Sequence, residues 1–168
     1  MAKAWFKNRL NDPFLKKSRA EDYRSRAAYK LEEIDEKYKL IRPGCKILDL
    51  GAAPGSWSQY AMRKVGGKAK IIAIDLLEIR PIEGVTILQG DIRDADNQAK
   101  IIELAAGKLD VILSDMAPDT TGVHYADTEN SALLVHLALD IAEKLLKPGG
   151  SFVAKVFEGA EYQALLQR

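Results

Sequence analysis

The stretch SFVAKVFEG, residues 151–159, sets Lys155 among the strand-forming residues Phe152, Val153, Val156 and Phe157. Taking an ammonium out of water costs several kcal/mol unless it is paired or neutralised. A snorkelling lysine on an edge strand is one explanation. A lysine with a carboxylate partner or a shifted proton is another. Four acids stand where other apolar segments end: Asp49, Asp75, Asp91 and Asp115. Any one of them is an ordinary cap or turn residue. A row of five charged groups at the ends of five strand-like segments can hold a ligand and move a proton.

The stretch DLGAAPGSW, residues 49–57, shows what kind of ligand. Gly51 and Gly55 let the backbone turn tightly and come close to a bound molecule. The spacing is not G-x-G-x-x-G, and Pro54 interrupts the loop, so a wrap around an amino-acid tail fits better than a pyrophosphate cradle. Asp75 ends the next apolar segment, 24 residues after Gly51, where a carboxylate accepts from two ribose hydroxyls. Asp91 ends the third, within reach of an adenine amino group. Together these residues indicate an adenosine-containing ligand. Trp57 reads either as a wall of its pocket or as plain helix packing.

The elements that position these groups alternate. CKILDLG is a strand, followed by a helix over about 56–65 that Gly66 and Gly67 stop. AKIIAIDL and GVTILQGD are the second and third strands, and a helix covers about 94–105. LDVILSD is the fourth strand, and MAPDTTGVHYADT is a polar loop. A helix covers about 128–146 until KPGG ends it, and SFVAKVF is the fifth strand. Before them, Ser18 or Glu21 and Asp22 start a helix to about Tyr38, with Ala27, Ala28, Leu31, Ile34 and Tyr38 on one face. Apolar strands separated by helices predict an α/β fold: a mostly parallel, doubly wound sheet with right-handed crossovers and helices on both faces. Ligands in such sheets bind beyond the carboxyl ends of the strands, at the switch point.

The bulk numbers narrow the reading. The 168 residues, 47% of them apolar, fit one folded domain. No apolar run approaches the ~18 residues of a membrane span, and residues 1–20 lack a secretory h-region. One cysteine, Cys45, excludes an internal disulfide and fits a reducing compartment, the cytoplasm or an organelle. His124 and His136 match no ligand spacing, so no metal is expected. Residues 1–30 hold nine basic and three acidic side chains, a net +6 on a chain whose total is +1, which leaves −5 for the remainder. A basic arm over 1–17 on a mildly acidic domain over 18–168 points to a polyanion partner.

The stretches YRSRAAYKL, ILDLGAAPGSWSQY, IIAIDLL, LQGDIRD, LSDMAP and PGGSFVAKVF occur in this order between about residues 18 and 158. In them the chain resembles the RrmJ/FtsJ (RlmE) family, which methylates ribose 2′-hydroxyls of RNA with S-adenosylmethionine. The resemblance implies a Rossmann-like methyltransferase fold, a monomer, and a uridine in large-subunit ribosomal RNA, naked or in the assembled subunit, as substrate. It implies Lys30, Asp115 and Lys155 as catalytic residues and Gly55, Trp57, Asp75, Asp91 and Asp115 as cofactor contacts, with the backbone at Gly51 contributing. Lys155 would be the base, or Lys30 and Lys155 would stabilise a developing alkoxide.

On this reading Lys16, Lys17, Arg19, Arg24 and Arg26 hold RNA phosphates. Trp5, Phe6 or Tyr29 stack on bases, with packing on the body as the alternative for Trp5 and Phe6. The family's last catalytic glutamate has no counterpart before Arg168, and the expected closing strand pair is missing. A binding relative that holds cofactor or RNA without turnover is therefore the alternative function. A nucleotide-dependent oxidoreductase is disfavoured by the missing G-x-G-x-x-G.

Overall fold

The computed structural model describes residues 17, 18, 20–67 and 69–168. Trp5, Phe6, Lys16 and Arg19 lie outside the described residues. Ten elements follow: α1 (Ala27–Tyr38), β1 (Lys46–Leu50), α2 (Ser56–Val65), β2 (Lys70–Asp75), β3 (Val85–Gln89), α3 (Ala95–Ala105), β4 (Leu109–Ser114), α4 (His124–Leu145), β5 (Leu146–Ala154) and α5 (Tyr162–Gln167). The strands form one sheet in the order β3-β2-β1-β4-β5, and every neighbouring pair is parallel. The order reverses direction between β1 and β4, so the switch point lies above those two strands.

Alternation along each strand divides the core in two. Leu48, Leu50, Ile72, Ile74 and Ile112 face α3 and α4, packing with Ile101, Ala138 and Ile141. Ile47, Ile71, Val111 and Leu113 face α1 and α2, packing with Leu31, Trp57 and Tyr60. Both faces are covered, which is why the strands read as continuous apolar runs. The carboxylate of Asp35 on α1 ties the second layer together. It accepts from Tyr60 Oη on α2 at 2.9 Å and from the Ile41 amide at 2.8 Å.

Four boundaries differ from the sequence expectation. The first long helix starts at Ala27 rather than at 18–22, because the chain turns at Asp22 with φ +59° and Tyr23 N bonds back to Ser18 O at 2.7 Å. The α4 helix starts at His124, four residues before 128. Asp127 reaches back to accept from Thr121 N, Thr121 Oγ1 and Gly122 N, which folds the preceding turn onto the helix end. The KPGG segment does not separate helix from strand but opens β5. Leu146 pairs with Leu109 and Ser151 with Val111, a register shift that places extra residues of β5 opposite Asp110. Lys147 and Asp110 form an ion pair across it. At its other end β5 stops at Ala154, so Lys155 stands just past the strand and not inside it.

Candidate active site

The loop after β1 is held from the strand beside it. Gly51 N and Ala52 N donate to Ile74 O at 3.0 and 3.2 Å. Asp75 then uses both carboxylate oxygens on backbone amides, Oδ2 from Ala53 N at 2.9 Å and Oδ1 from Leu77 N at 2.8 Å. Gly51 has φ +68°, and a Cβ there would lie 2.6 Å from Met116 Cγ and 2.8 Å from Met116 Cα. The glycine therefore lets the loop pack against the chain leaving β4. Above this junction opens a cleft lined among others by Ser25, Asp49, Gly51, Ala53, Trp57 and Asp115.

Asp115 and Lys155 meet at its rim. The two strands are in register at Ser114 and Ala154, so the next residues along each leave the sheet side by side. Lys155 N donates to Ser114 O at 2.9 Å. Its Nζ donates to Asp115 Oδ1 at 2.6 Å and to Asp115 O at 3.0 Å. Both side chains are about a third exposed or less, at 32% and 26%. Lys30 is exposed on α1, one turn after the cleft residue Ala27. The structure pairs it with neither Lys155 nor Asp115 among the described residues.

Asp49, which sequence reasoning placed in the row of acids without a role, is fully buried under the cleft. Its Oδ2 accepts from Ser58 Oγ at 2.6 Å, while Oδ1 has no partner among the described residues. Burial pushes its pKa up to about 7. The Ser58 hydroxyl opposes the shift, and the nearby Asp115 and Asp75 add to it.

The remaining expected contacts are distributed unevenly. Asp91 is held by Arg93, whose backbone N and Nε both reach Oδ1 at 2.9 Å and whose Nη2 reaches Oδ2 at 2.5 Å. These bonds hold the Asp91 carboxyl below its usual range. Trp57 combines both roles weighed for it: it lines the cleft, and its Nε1 donates to Ala27 O at 2.8 Å within the α1–α2 core. Gly55 has φ +106° at the start of α2.

Tyr29 cannot stack on a base. It is buried, its hydroxyl donates to Glu21 at 2.9 Å, and the edge of its ring meets Tyr23. Lys17 lies over the Tyr29 ring and pairs with Glu21 and Glu32. Arg26 is exposed. Arg24 turns inward, its guanidinium bonded to the carbonyls of Pro54, Arg80 and Pro81.

The sequence pattern of the FtsJ-like methyltransferases matches residues 23–168. The chain belongs to that family. The FtsJ-like chain is 48% identical over 164 residues to a protein of Pseudomonas fluorescens named ribosomal RNA large subunit methyltransferase E, covering 97% of this chain and 78% of the relative. A protein of the same name from Acinetobacter baumannii is 50% identical over 162 residues, covering 96% and 75%. Among solved structures, one described as a ribosomal RNA methyltransferase of Plasmodium falciparum superposes with a TM-score of 0.80 at 36% identity, covering 86% of this chain and 84% of that one. The Aeropyrum pernix fibrillarin structure, with natively bound S-adenosyl-L-methionine, matches in fold with a TM-score of 0.56 at 16% identity and coverages of 76% and 56%. The fold of this FtsJ-like methyltransferase is thus the Rossmann-like one its sequence implied, and the family's cofactor is S-adenosylmethionine.

Two features of this FtsJ-like site went unread in the sequence. One is the unpaired oxygen of Asp49. Its available signal was a carboxylate alternating with Leu48 and Leu50, on the face where Ser58 of α2 arrives. The other is the hydroxyl pair Ser25 Oγ and Ser56 Oγ, 2.8 Å apart at the cleft wall, which joins residues 31 positions apart and leaves no local pattern.

Proposed function

We propose that the chain transfers a methyl group to the 2′-hydroxyl of a ribose, a uridine's, in large-subunit ribosomal RNA. The observation that carries this reading is the Lys155–Asp115 pair, whose aspartate lines a cleft walled by the Gly51 loop and Trp57, in a chain of the FtsJ-like family. The relatives' names supply the RNA class.

The residues present fit S-adenosylmethionine. Asp75 spends one acceptor position of each oxygen on the loop, and a carboxylate has about four, so two remain for ribose hydroxyls. Asp91 gives the adenine amino group an acceptor in exchange for one of its bonds to the largely exposed Arg93, a pairing worth little in water. The backbone at Gly51 and Gly55 and the wall of Trp57 bound the rest, and Asp49 Oδ1 is a buried oxygen with no partner among the described residues. Bound there, the cofactor supplies a methyl group already made electrophilic by its sulfonium.

Lys155 then carries the proton chemistry. S-adenosylmethionine held by Asp75, Asp91 and the Gly51 loop would supply the methyl group, and Lys155 Nζ would take the proton of the ribose hydroxyl and pass it to solvent. Asp115 fixes where that amine points. On this reading the exposed Lys17 and Arg26 hold RNA phosphates, with Lys16 and Arg19 in the same basic segment.

The test is mass mapping of methylated ribose in large-subunit RNA, and in assembled subunits, after incubation with the chain and S-adenosylmethionine. A single 2′-O-methyl site supports the reading. Cofactor binding without any transferred methyl in either substrate overturns it in favour of a binding relative.

A further inference from the structure

Arg24 is the residue whose observed geometry departs furthest from the role its sequence context implied. A guanidinium in a basic segment is expected to face solvent and phosphate. This one is partly exposed and lies back against main-chain carbonyls of the protein. Its Nη1 donates to Pro54 O at 2.9 Å and to Arg80 O at 2.7 Å, and its Nη2 donates to Pro81 O at 2.8 Å. Three of its five N–H groups are thereby spent on carbonyls of two different loops, 30 to 57 positions away. One is the loop between β1 and α2 that lines the cleft. The other joins β2 to β3.

The surroundings are shaped to admit it. A Cβ on Gly55 would lie 2.9 Å from Arg24 Nη1 and 2.8 Å from Ile82 Cδ1, so the missing side chain is the space the guanidinium and Ile82 occupy. The main chain at residue 24 is fastened as well. Arg24 N donates to Gln59 Oε1 at 2.9 Å, and Gln59 Nε2 donates to Asp22 O at 3.1 Å. Asp75 grips the cleft loop at Ala53 from one side, and Arg24 grips it at Pro54 from the other.

We propose that Arg24 is a positioning residue that latches the cofactor loop to the β2–β3 loop and to the segment leading into α1, so that the cofactor cleft and the neighbouring basic segment order as one unit. The proposal rests on the cofactor reading above. Lysine cannot replace arginine here, because a single ammonium does not present a planar fork to three fixed carbonyls. A phosphate contact, in contrast, tolerates that exchange.

The test compares wild type with Arg24→Lys and Arg24→Ala. S-adenosylmethionine affinity is read by calorimetry, and amide exchange of residues 52, 53, 55, 79, 80 and 82 is read in the cofactor-free protein. Both variants are expected to lose about tenfold or more in affinity (about 1.4 kcal/mol per tenfold) and to exchange faster at those amides. The KM for cofactor is expected to rise while kcat at saturation stays within about threefold. The salt slope of RNA binding stays that of wild type. The proposal is overturned if Arg24→Lys matches wild type in affinity and exchange, or if Arg24→Ala flattens the salt slope with both unchanged. Failure of the wild type itself to bind S-adenosylmethionine would sink the functional reading instead, while the exchange rates still judge the latch.

Discussion

Lys155 Nζ sits 2.6 Å from Asp115 Oδ1 and 3.0 Å from Asp115 O, each residue one step past the Ser114–Ala154 register pair. Two parallel strands deliver an amine and a carboxylate to the same point with no loop needed to aim either. Backbone bonds at both residues, Asp115 N to Leu50 O and Lys155 N to Ser114 O, fix them to the sheet. Sites built this way hold their geometry more tightly than sites on free loops.

Lys155→Ala removes the proton acceptor and leaves the cleft loop untouched. Methyl transfer from labelled cofactor is expected to fall by about 10²–10⁴-fold, with cofactor affinity within a few-fold of wild type by calorimetry. A large loss of affinity would reassign Lys155 from chemistry to binding. The lost ion pair is partly exposed, so its contribution to stability is expected to be no more than about 1 kcal/mol.

Asp49 makes stability depend on pH in an unusual direction. A raised folded-state pKa means that between about pH 4 and pH 7 the native protein holds a proton that the unfolded chain has released. Stability from this group is therefore full below the unfolded value and is lost as pH rises through about 7. The loss has an upper bound on the order of 4 kcal/mol, from roughly three pKa units. Asp49→Asn keeps the Ser58 hydrogen bond and does not titrate. Urea midpoints at pH 5 and pH 8 should therefore converge in the variant relative to wild type. Equal pH dependence in both proteins would show that Asp49 stays charged.

Gly51 and Gly44 separate close approach from backbone strain. Both have positive φ, +68° and +81°, but a Cβ on Gly44 meets nothing within 4 Å, while one on Gly51 collides with Met116. Gly44→Ala should cost about 1–2 kcal/mol from the left-handed backbone alone. Gly51→Ala should cost a further ~1–3 kcal/mol from overpacking and weaken cofactor binding as the loop moves. Chemical denaturation measures both, and equal costs would remove the packing argument.

Arg26 now carries the phosphate test that Arg24 cannot. Arg26→Ala is expected to reduce the slope of log affinity for RNA against log salt by about 0.7–0.9, one phosphate's share, with cofactor affinity unchanged. Binding titrations at several salt concentrations decide it, and an unaltered slope removes Arg26 from the RNA surface.

The sheet was legible because β1, β2 and β4 are buried on both faces and the segments of β1 to β4 close on acids. Composition and local order expose both properties, and β1 to β4 fall within a few residues of their expected bounds. The lysine that looked misplaced inside a strand was misplaced only by the assumed strand end: stopping at Ala154 frees it to meet Asp115. What stayed hidden was set by contacts distant in the chain or by single backbone angles. The φ of Asp22 delays α1, and the backward reach of Asp127 advances α4. Tyr29 read as an exposed stacking ring because its partners Tyr23 and Glu21 lie outside its own helix. Nothing near Arg24 in the chain announces the carbonyls of residues 54, 80 and 81.

The irregular pairing near Asp110 has an effect at the far end of β5. It sits at the amino-terminal rim of the sheet, where Lys147 to Gly150 accommodate their surplus length with Gly149 at φ +73°. Insertions or deletions at that rim can be absorbed there as slack, without changing which residue follows the Ser114–Ala154 pairing. The strand thus keeps its tolerance for evolutionary drift some five residues from the amine that does the chemistry, and drift in the one segment need not perturb the aim of the other.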